Sequence, residues 1–325
     1  MPHHLISLSP YNRLASEIED AFTVKCTTPQ IKYFSRGEIE VNLESTPQFH
    51  KDDTVTIICH NSDSVNNDIM QLCLTSNKIT KSVKQIVAII PLLYYARQHN
   101  TTESPFCLNL LHAAGINHII TLDLHGAIYR KYLPPDKHTP AIHNVLTTDF
   151  FIKHITSSSS YHQEIKERRL LIVAPDNGAT QRATLIANTL RTKVIYLHKT
   201  RINGTTTVNL QQYTTQHNKS TNTPATIQNK TCIIIDDMVD SGDTIVAAAH
   251  ALLEAGASKI IAYVTHAASN RYYNNVIKTT AISKLYVCHT ANSKNNNSNK
   301  ITFLDINSFF AQEINNIYHT QRICN

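Results

Sequence analysis

The residues "AGINHIITLDLHGA" (114–127) return, altered but aligned, as "AGASKIIAYVTHAA" (255–268). Ala, Gly, two isoleucines, His and the final Ala coincide at a constant offset of 141 residues. Applied to the strand before it, the offset brings "AIIPLLYYARQ" close to "CIIIDDMVDSGD". A repeat of this kind marks a duplicated α/β unit. Around it, strand-sized apolar segments at 54–60, 85–90, 118–125, 170–175, 193–198, 232–236, 259–266 and 301–306 alternate with amphipathic stretches such as "NNDIMQLCLTSNKI" and "ATLIANTLR". That alternation predicts parallel sheets covered by helices. The expectation is two similar lobes, with ligands held in crevices at the carboxyl ends of their strands.

Composition narrows the function classes. With 325 residues and 42% hydrophobic content, the chain can build two cores of ordinary size. The longest apolar run, residues 86–96, contains a proline and is too short to span a bilayer. The first residues lack the charged-then-apolar pattern of a secretory leader. Seven cysteines are scattered without a Cys-x-x-Cys pair, which fits reduced, buried thiols in a cytoplasmic protein. Eighteen histidines include no convincing helical His-x-x-x-His, so no structural zinc site is expected. A net charge of +6 comes from dispersed residues with few aromatics between them, which argues against nucleic-acid binding. Three polar segments read as loops: 156–163, 292–300, and a Thr/Asn/Gln-rich stretch from about 202 to 230. The last is either a disordered connector or a mobile lid.

The chemistry concentrates in "CIIIDDMVDSGDTIVAAAHALLEAG" (232–256). An apolar strand delivers Asp236 and Asp237 to a sheet edge. Asp240, Ser241, Gly242, Asp243 and Thr244 follow, and then a helix begins. A helix N-terminus attracts anions through its N–H groups and dipole. Hydroxyls at Ser241 and Thr244 could add donors, and Gly242 permits close backbone approach. An acidic N-cap needs one or two carboxylates, and this loop has more. Acids upstream of a phosphate cradle need another partner, such as sugar hydroxyls or a metal ion shared with pyrophosphate. A ribose 5-phosphate, with a phosphate at one end and a diol at the other, satisfies the whole loop.

"IIIDDMVDSGDT" resembles the phosphoribosyl-diphosphate loop of type I phosphoribosyltransferases and ribose-phosphate diphosphokinases. The second family resembles almost the entire chain, through "YFSRGEIEVNLE", "NNDIMQLCL", "IIPLLYYARQ", "HIITLDLHG", "VAPDNGATQRA", "LHKTR", "YVTHA" and "ITFLDINSFFAQEINNIYH", in that order. The resemblance implies two tandem type I phosphoribosyltransferase-like lobes, at 1–143 and 144–305. The second would carry a flexible catalytic loop at 199–230, and a C-terminal helix at 306–325 would pack back on the first. It also implies transfer of the diphosphoryl group of ATP to the anomeric hydroxyl of ribose 5-phosphate, giving phosphoribosyl diphosphate and AMP. Phe34, Arg36, Gly37, Glu38, Arg97 and Gln98 would hold ATP. His125 and Asp176 would hold Mg2+, and Asp236, Asp237 and residues 240–244 would hold ribose 5-phosphate. Lys199 and Arg201 would close over the transferring phosphates. A soluble homo-oligomer is implied, because the family's base pocket borrows the Phe34 segment from a neighbour.

Several positions depart from the pattern. Arg36 replaces an Asp or Asn that helps read adenine's amino group, and a guanidinium cannot accept that hydrogen bond. His99 stands where Asp is usual, and Ala179, Thr180 and Gln181 replace Gly-Ala-Lys. Asp243 takes the place of the loop's second glycine. Pointing inward, its carboxylate would oppose the sugar phosphate. Pointing outward, it leaves the cradle usable. The alternative is a noncatalytic family member that assembles with or regulates an active partner, but retention of Lys199, Arg201, Asp176 and His125 favours catalysis. A phosphoribosyltransferase ranks last, since its one-lobe plan leaves the repeat unexplained.

Overall fold

The computed structural model describes residues 3–9, 12–59, 61–62, 64–96, 103–125, 139–202, 205–212, 226–290, 298–320 and 323, with backbone alone over 198–202 and 205–212. The chain divides into two compact units. The first comprises Met1–Val145, Thr290–Asn292 and Ile306–Asn325, and the second comprises Leu146–His289 and Ser293–Asp305.

In chain order the first unit contains β1 (His3–Ser7), α1 (Arg13–Phe22), β2 (Cys26–Thr27), β3 (Gln30–Tyr33), β4 (Ile39–Asn42), β5 (Thr54–Ile58), α2 (Val65–Ile79), β6 (Gln85–Ile89), α3 (Glu103–Ala113), β7 (His118–Leu122) and β8 (Ala141–Val145). Its main sheet runs β2-β1-β5-β6-β7-β8 with parallel neighbours, while β3 and β4 form a separate antiparallel hairpin. The second unit contains α4 (Thr148–Ser157), α5 (Ser159–Lys166), β9 (Leu170–Ala174), α6 (Thr180–Thr189), β10 (Lys193–Ile202), β11 (Thr205–Gln212), β12 (Thr231–Val239), α7 (Asp243–Glu254), β13 (Lys259–Ala267), α8 (Tyr272–Lys278), β14 (Lys284–Cys288) and β15 (Ile301–Leu304). Its sheet runs β11-β10-β9-β12-β13-β14-β15, parallel except for the β10–β11 pair. Both units are therefore parallel-sheet α/β lobes. Every residue of β5, β6 and β9 is buried, as expected where helices cover both faces of a strand.

The repeat is visible in the backbone. Gly115 and Gly256 both take left-handed φ values, +99° and +91°. The N–H of Gly115 donates to the carbonyl of His112 at 2.8 Å, and that of Ile116 donates to Leu111 at 3.1 Å. In the second lobe Gly256 donates to Leu253 at 2.8 Å and Ala257 to Leu252 at 3.0 Å. These are the same two Schellman bonds closing α3 and α7. An added Cβ would overlap the Thr80 side chain at one site and the Gln228 side chain at the other. Only glycine meets both demands.

The last helix, α9 (Asn307–His319), belongs to the first unit. Ser308 donates to Glu17 of α1 at 2.7 Å, Tyr318 is hydrogen-bonded to Thr56 of β5, and Gln85 of β6 donates to the carbonyl of Ile323 at 2.6 Å.

Two loop expectations change. Residues 156–163 are mostly helical, because Ser158 turns the chain between α4 and α5 and buried Tyr161 anchors the second helix. Within 202–230, Thr205–Gln212 is a strand, as its Thr-rich sequence permits. Residues 203–204, 213–225 and most of 292–300 lie outside the described residues. Cys59, Cys73, Cys107, Cys232 and Cys288 are buried and in no disulfide. No described helix is long and apolar enough to cross a membrane.

Candidate active site

Within the second sheet, the order β10-β9-β12-β13-β14 puts chain-sequential β9 and β10 on one side and β12 onward on the other. Connections leave β9 and β12 in opposite directions, which opens a crevice at their carboxyl ends. Asp176 lies two residues past the end of β9, and Asp236 and Asp237 lie in the carboxyl-terminal half of β12, beyond its last pairing with β9 at Ile234–Val173. The topology thus brings together three of the acids expected from sequence.

Asp236 and Asp237 are only 8% and 7% exposed. The Asp237 N–H donates to Asp236 Oδ1 at 2.9 Å. Arg182 Nη2, from α6, donates to Asp237 Oδ2 at 3.3 Å with both side chains nearly buried. Burial pushes the Asp236 carboxyl well above its usual range, and the charges of Asp237 and Asp176 push it further, against the opposing pull of Arg182. Such a pair calls for hydroxyl donors or a cation. Asp176 Oδ1 accepts the Gly178 N–H at 2.9 Å, capping the short 3₁₀ turn Asn177–Ala179 that leads into α6. Among the described residues no group of three or more His, Cys, Asp or Glu is arranged to hold a metal ion.

The loop between β12 and α7 divides its acids differently. Asp240 turns to the segment after β13. It accepts from Ser269 Oγ at 2.5 Å and from Arg271 Nη2 at 2.5 Å. Gly242, with φ of +85°, takes the left-handed position, so Asp243 need not. Asp243 is instead the first residue of α7 and is exposed. Its Oδ2 accepts from Ser241 Oγ at 2.8 Å and its Oδ1 from Asn275 Nδ2 of α8 at 3.0 Å. The carboxylate lines an open groove of about 490 Å³ with His250, Asn275 and Lys278. Of the two orientations open from sequence, the structure takes the outward one. Thr244 is half-buried in the first turn of α7.

Lys199 and Arg201 lie on β10, beside Val208 and Thr206 of β11. The last pairing of β10 with β9 is Tyr196–Ala174, so Lys199 stands roughly 10 Å further along an extended chain. The two basic positions thus sit on a two-stranded arm beyond the sheet's carboxyl edge.

The remaining residues belong to the first unit. Phe34, Ser35, Arg36 and Gly37 form the turn joining β3 and β4. Phe34 N–H donates to the Glu38 carbonyl at 2.9 Å, Gly37 N–H to Phe34 at 2.8 Å, and Gly37 adopts φ of +86°. Tyr33 and Phe34 are 50% and 43% exposed, and Lys32 Nζ lies 4.9 Å from the Phe34 ring centre. His125 follows the carboxyl end of β7, close to Asp123, which holds a left-handed φ of +35°. Arg97 and Gln98 lie outside the described residues. Arg182, Ser269, Arg271 and Asn275 were not among the site residues expected from sequence.

A family model described as the N-terminal domain of ribose phosphate pyrophosphokinase matches residues 3–115, and a phosphoribosyl transferase domain model matches 144–291. Among curated proteins, ribose-phosphate pyrophosphokinase 1 of Streptococcus mutans is 29% identical over 295 residues, covering 88% of this chain and 84% of that protein. The protein of the same name from Streptococcus pneumoniae is 28% identical over the same length, covering 88% and 84%. Among solved structures, a phosphoribosylpyrophosphate synthetase from Mycobacterium smegmatis superposes with a TM-score of 0.77 at 21% identity, over 98% of this chain and 100% of that one. That last likeness speaks to the fold.

Proposed function

The chain belongs to the ribose-phosphate pyrophosphokinase family, and on that premise we propose how its own residues divide the work of that reaction. The reaction moves the diphosphoryl group of ATP to the anomeric hydroxyl of ribose 5-phosphate, giving phosphoribosyl diphosphate and AMP. The observation that carries the assignment is the buried Asp236–Asp237 pair at the β9/β12 crevice, followed at once by the N-terminal end of α7.

Asp236 and Asp237 accept hydrogen bonds from the ribose hydroxyls, which add donors to those that Arg182 and the Asp237 N–H already supply. Residues 240–244 hold the 5-phosphate at the helix end. Phe34, Arg36, Gly37 and Glu38, with Arg97 and Gln98, take the nucleotide, and the exposed aromatic hairpin supports a base-stacking role. Lys199 and Arg201, on the β10–β11 arm, swing over the site and stabilise charge on the transferring phosphates. The Asp176 carboxylate is a ligand of the kind that Mg2+ takes, a hard cation that keeps several waters and needs few protein ligands. Asp176 would hold it, and it would neutralise the phosphates. The exposed hairpin supports a homo-oligomer, and buried thiols such as Cys59 and Cys107 support a cytoplasmic setting.

The test is to incubate the protein with Mg2+, ATP and ribose 5-phosphate and to follow AMP. We expect AMP only when the sugar phosphate is present, and a loss of at least about a hundredfold in Lys199→Ala. AMP released without the sugar, or undiminished in the variant, would sink the assignment.

A further inference from the structure

Asp243 poses a like-charge problem that the structure answers with a residue 32 positions away. A sugar phosphate at the N-terminal end of α7 would meet any carboxylate rotated toward it, and like charges a few Å apart repel even where solvent screens them in part. Asn275 on α8 engages the carboxylate on the other side. Its Nδ2 donates to Asp243 Oδ1 at 3.0 Å and to the Ser241 carbonyl at 2.9 Å, tying side chain and loop together. Arg271, which pairs with Asp240, and Lys278, which lines the same groove, place positive charge on that side of the helix. The arrangement has a second effect. A hydroxyl has one proton to donate, and Ser241 directs it to Asp243 Oδ2 at 2.8 Å.

We propose that Asn275 is a positioning residue for the phosphate loop, holding the Asp243 carboxylate on the α8 side so that the loop can accept ribose 5-phosphate. The proposal rests on the ribose 5-phosphate reading of that loop. Asp243 sets the affinity: it withholds the Ser241 hydroxyl and adds a charge that Asn275 keeps at a distance.

Calorimetric titration of the full chain with ribose 5-phosphate reads the loop without turnover. Four proteins suffice: wild type, Asn275→Ala, Asp243→Gly and the double variant. Asn275→Ala should weaken binding about tenfold by freeing the carboxylate. Asp243→Gly should bind more tightly than wild type, because the charge is gone and the Ser241 hydroxyl is released. Adding Asn275→Ala to Asp243→Gly should change affinity less than about twofold, since the charge that Asn275 restrains is absent. An equal loss in both backgrounds would mean that Asn275 acts through the Ser241 carbonyl or by packing, not through Asp243, and would overturn the proposal. So would an unchanged Kd in Asn275→Ala. Asn275→Leu, similar in branching but without the amide, makes the same comparison if the alanine variant unfolds.

AMP formation in the same proteins separates this proposal from the function it rests on. Binding in the expected order without AMP from any of the four would leave the Asn275 role standing and overturn the diphosphokinase assignment. AMP from all four with one common Kd would do the reverse. No binding in any protein overturns both.

Discussion

The two lobes agree at their joints and differ at their edges. At Gly115 and Gly256 the same left-handed residue closes a helix with the same two hydrogen bonds and is crowded by a neighbouring side chain. At the strands' carboxyl ends the likeness stops. The second lobe sets two buried acids with an arginine partner in the carboxyl-terminal half of β12, whereas the first holds Tyr95 and Asp123 in left-handed conformations and carries His125. The joint is fixed by what packs beneath it, so few sequences satisfy it. The edge faces a ligand, and each copy could change there without unmaking the sheet.

Arg182→Ala should break the edge of the second lobe most severely. It leaves Asp237 beside Asp236 without the cation that offsets them, and losing one partner of a buried pair costs about 3–5 kcal/mol. The pH dependence shows whether charge is the cause. A carboxyl raised in the folded state holds protons that the unfolded chain releases, so stability declines as pH rises from the ordinary carboxylate value toward the raised one. Asp236 is such a group, and removing Arg182 raises it further. Urea denaturation should therefore find the Arg182→Ala deficit largest near neutrality and smaller in acid. An equal deficit at both pH values would point to lost packing instead. By the same sign, Asp236→Asn should abolish AMP formation yet stabilise the protein, with a gain that grows from acid toward neutral pH.

The joints should respond alike and more mildly. Gly115→Ala and Gly256→Ala each force an L side chain into the left-handed region, at about 1–2 kcal/mol, with crowding added. Thermal melts should show two similar drops. If one variant were tolerated and the other not, the joints would be equivalent in shape only.

The smallest effect belongs to Asp243→Gly, whose stability should fall by roughly 1 kcal/mol. The helix loses both an acid at its positive end and a better helix former. A melt unchanged or raised by this substitution would remove the reason for an acid at the start of α7 that has nothing to do with ligand.

The sequence carried the lobes well because their central strands are continuous apolar runs. It passed over β1, β8 and β14, which mix polar residues into shorter or more peripheral strands, and the β3–β4 hairpin, whose faces are largely exposed. The acids of the second lobe were legible for a local reason, since Asp236, Asp237, Asp240 and Asp243 crowd one strand-to-helix turn. Their partners were not. Arg182 lies 55 residues before Asp237, and Arg271 lies 31 after Asp240. Only the packing of α6 and of the segment before α8 against this edge brings them in. One signal was available for Arg182: two adjacent acids at the end of a buried strand demand a cation, and "ATQRA" places one just after Asp176.

The first lobe draws its outer parts from opposite ends of the chain, with β1 near the beginning and α9 near the end. A ribosome releases these pieces in an order that the fold does not follow. The nascent first lobe emerges early but waits for Ser308, Tyr318 and Ile323 before Glu17, Thr56 and Gln85 find their partners. Nearly the whole second lobe is made in the meantime from one uninterrupted stretch. Birth order and order of completion are therefore reversed, and a message cut short near its end spares the later lobe while leaving the earlier one unfinished.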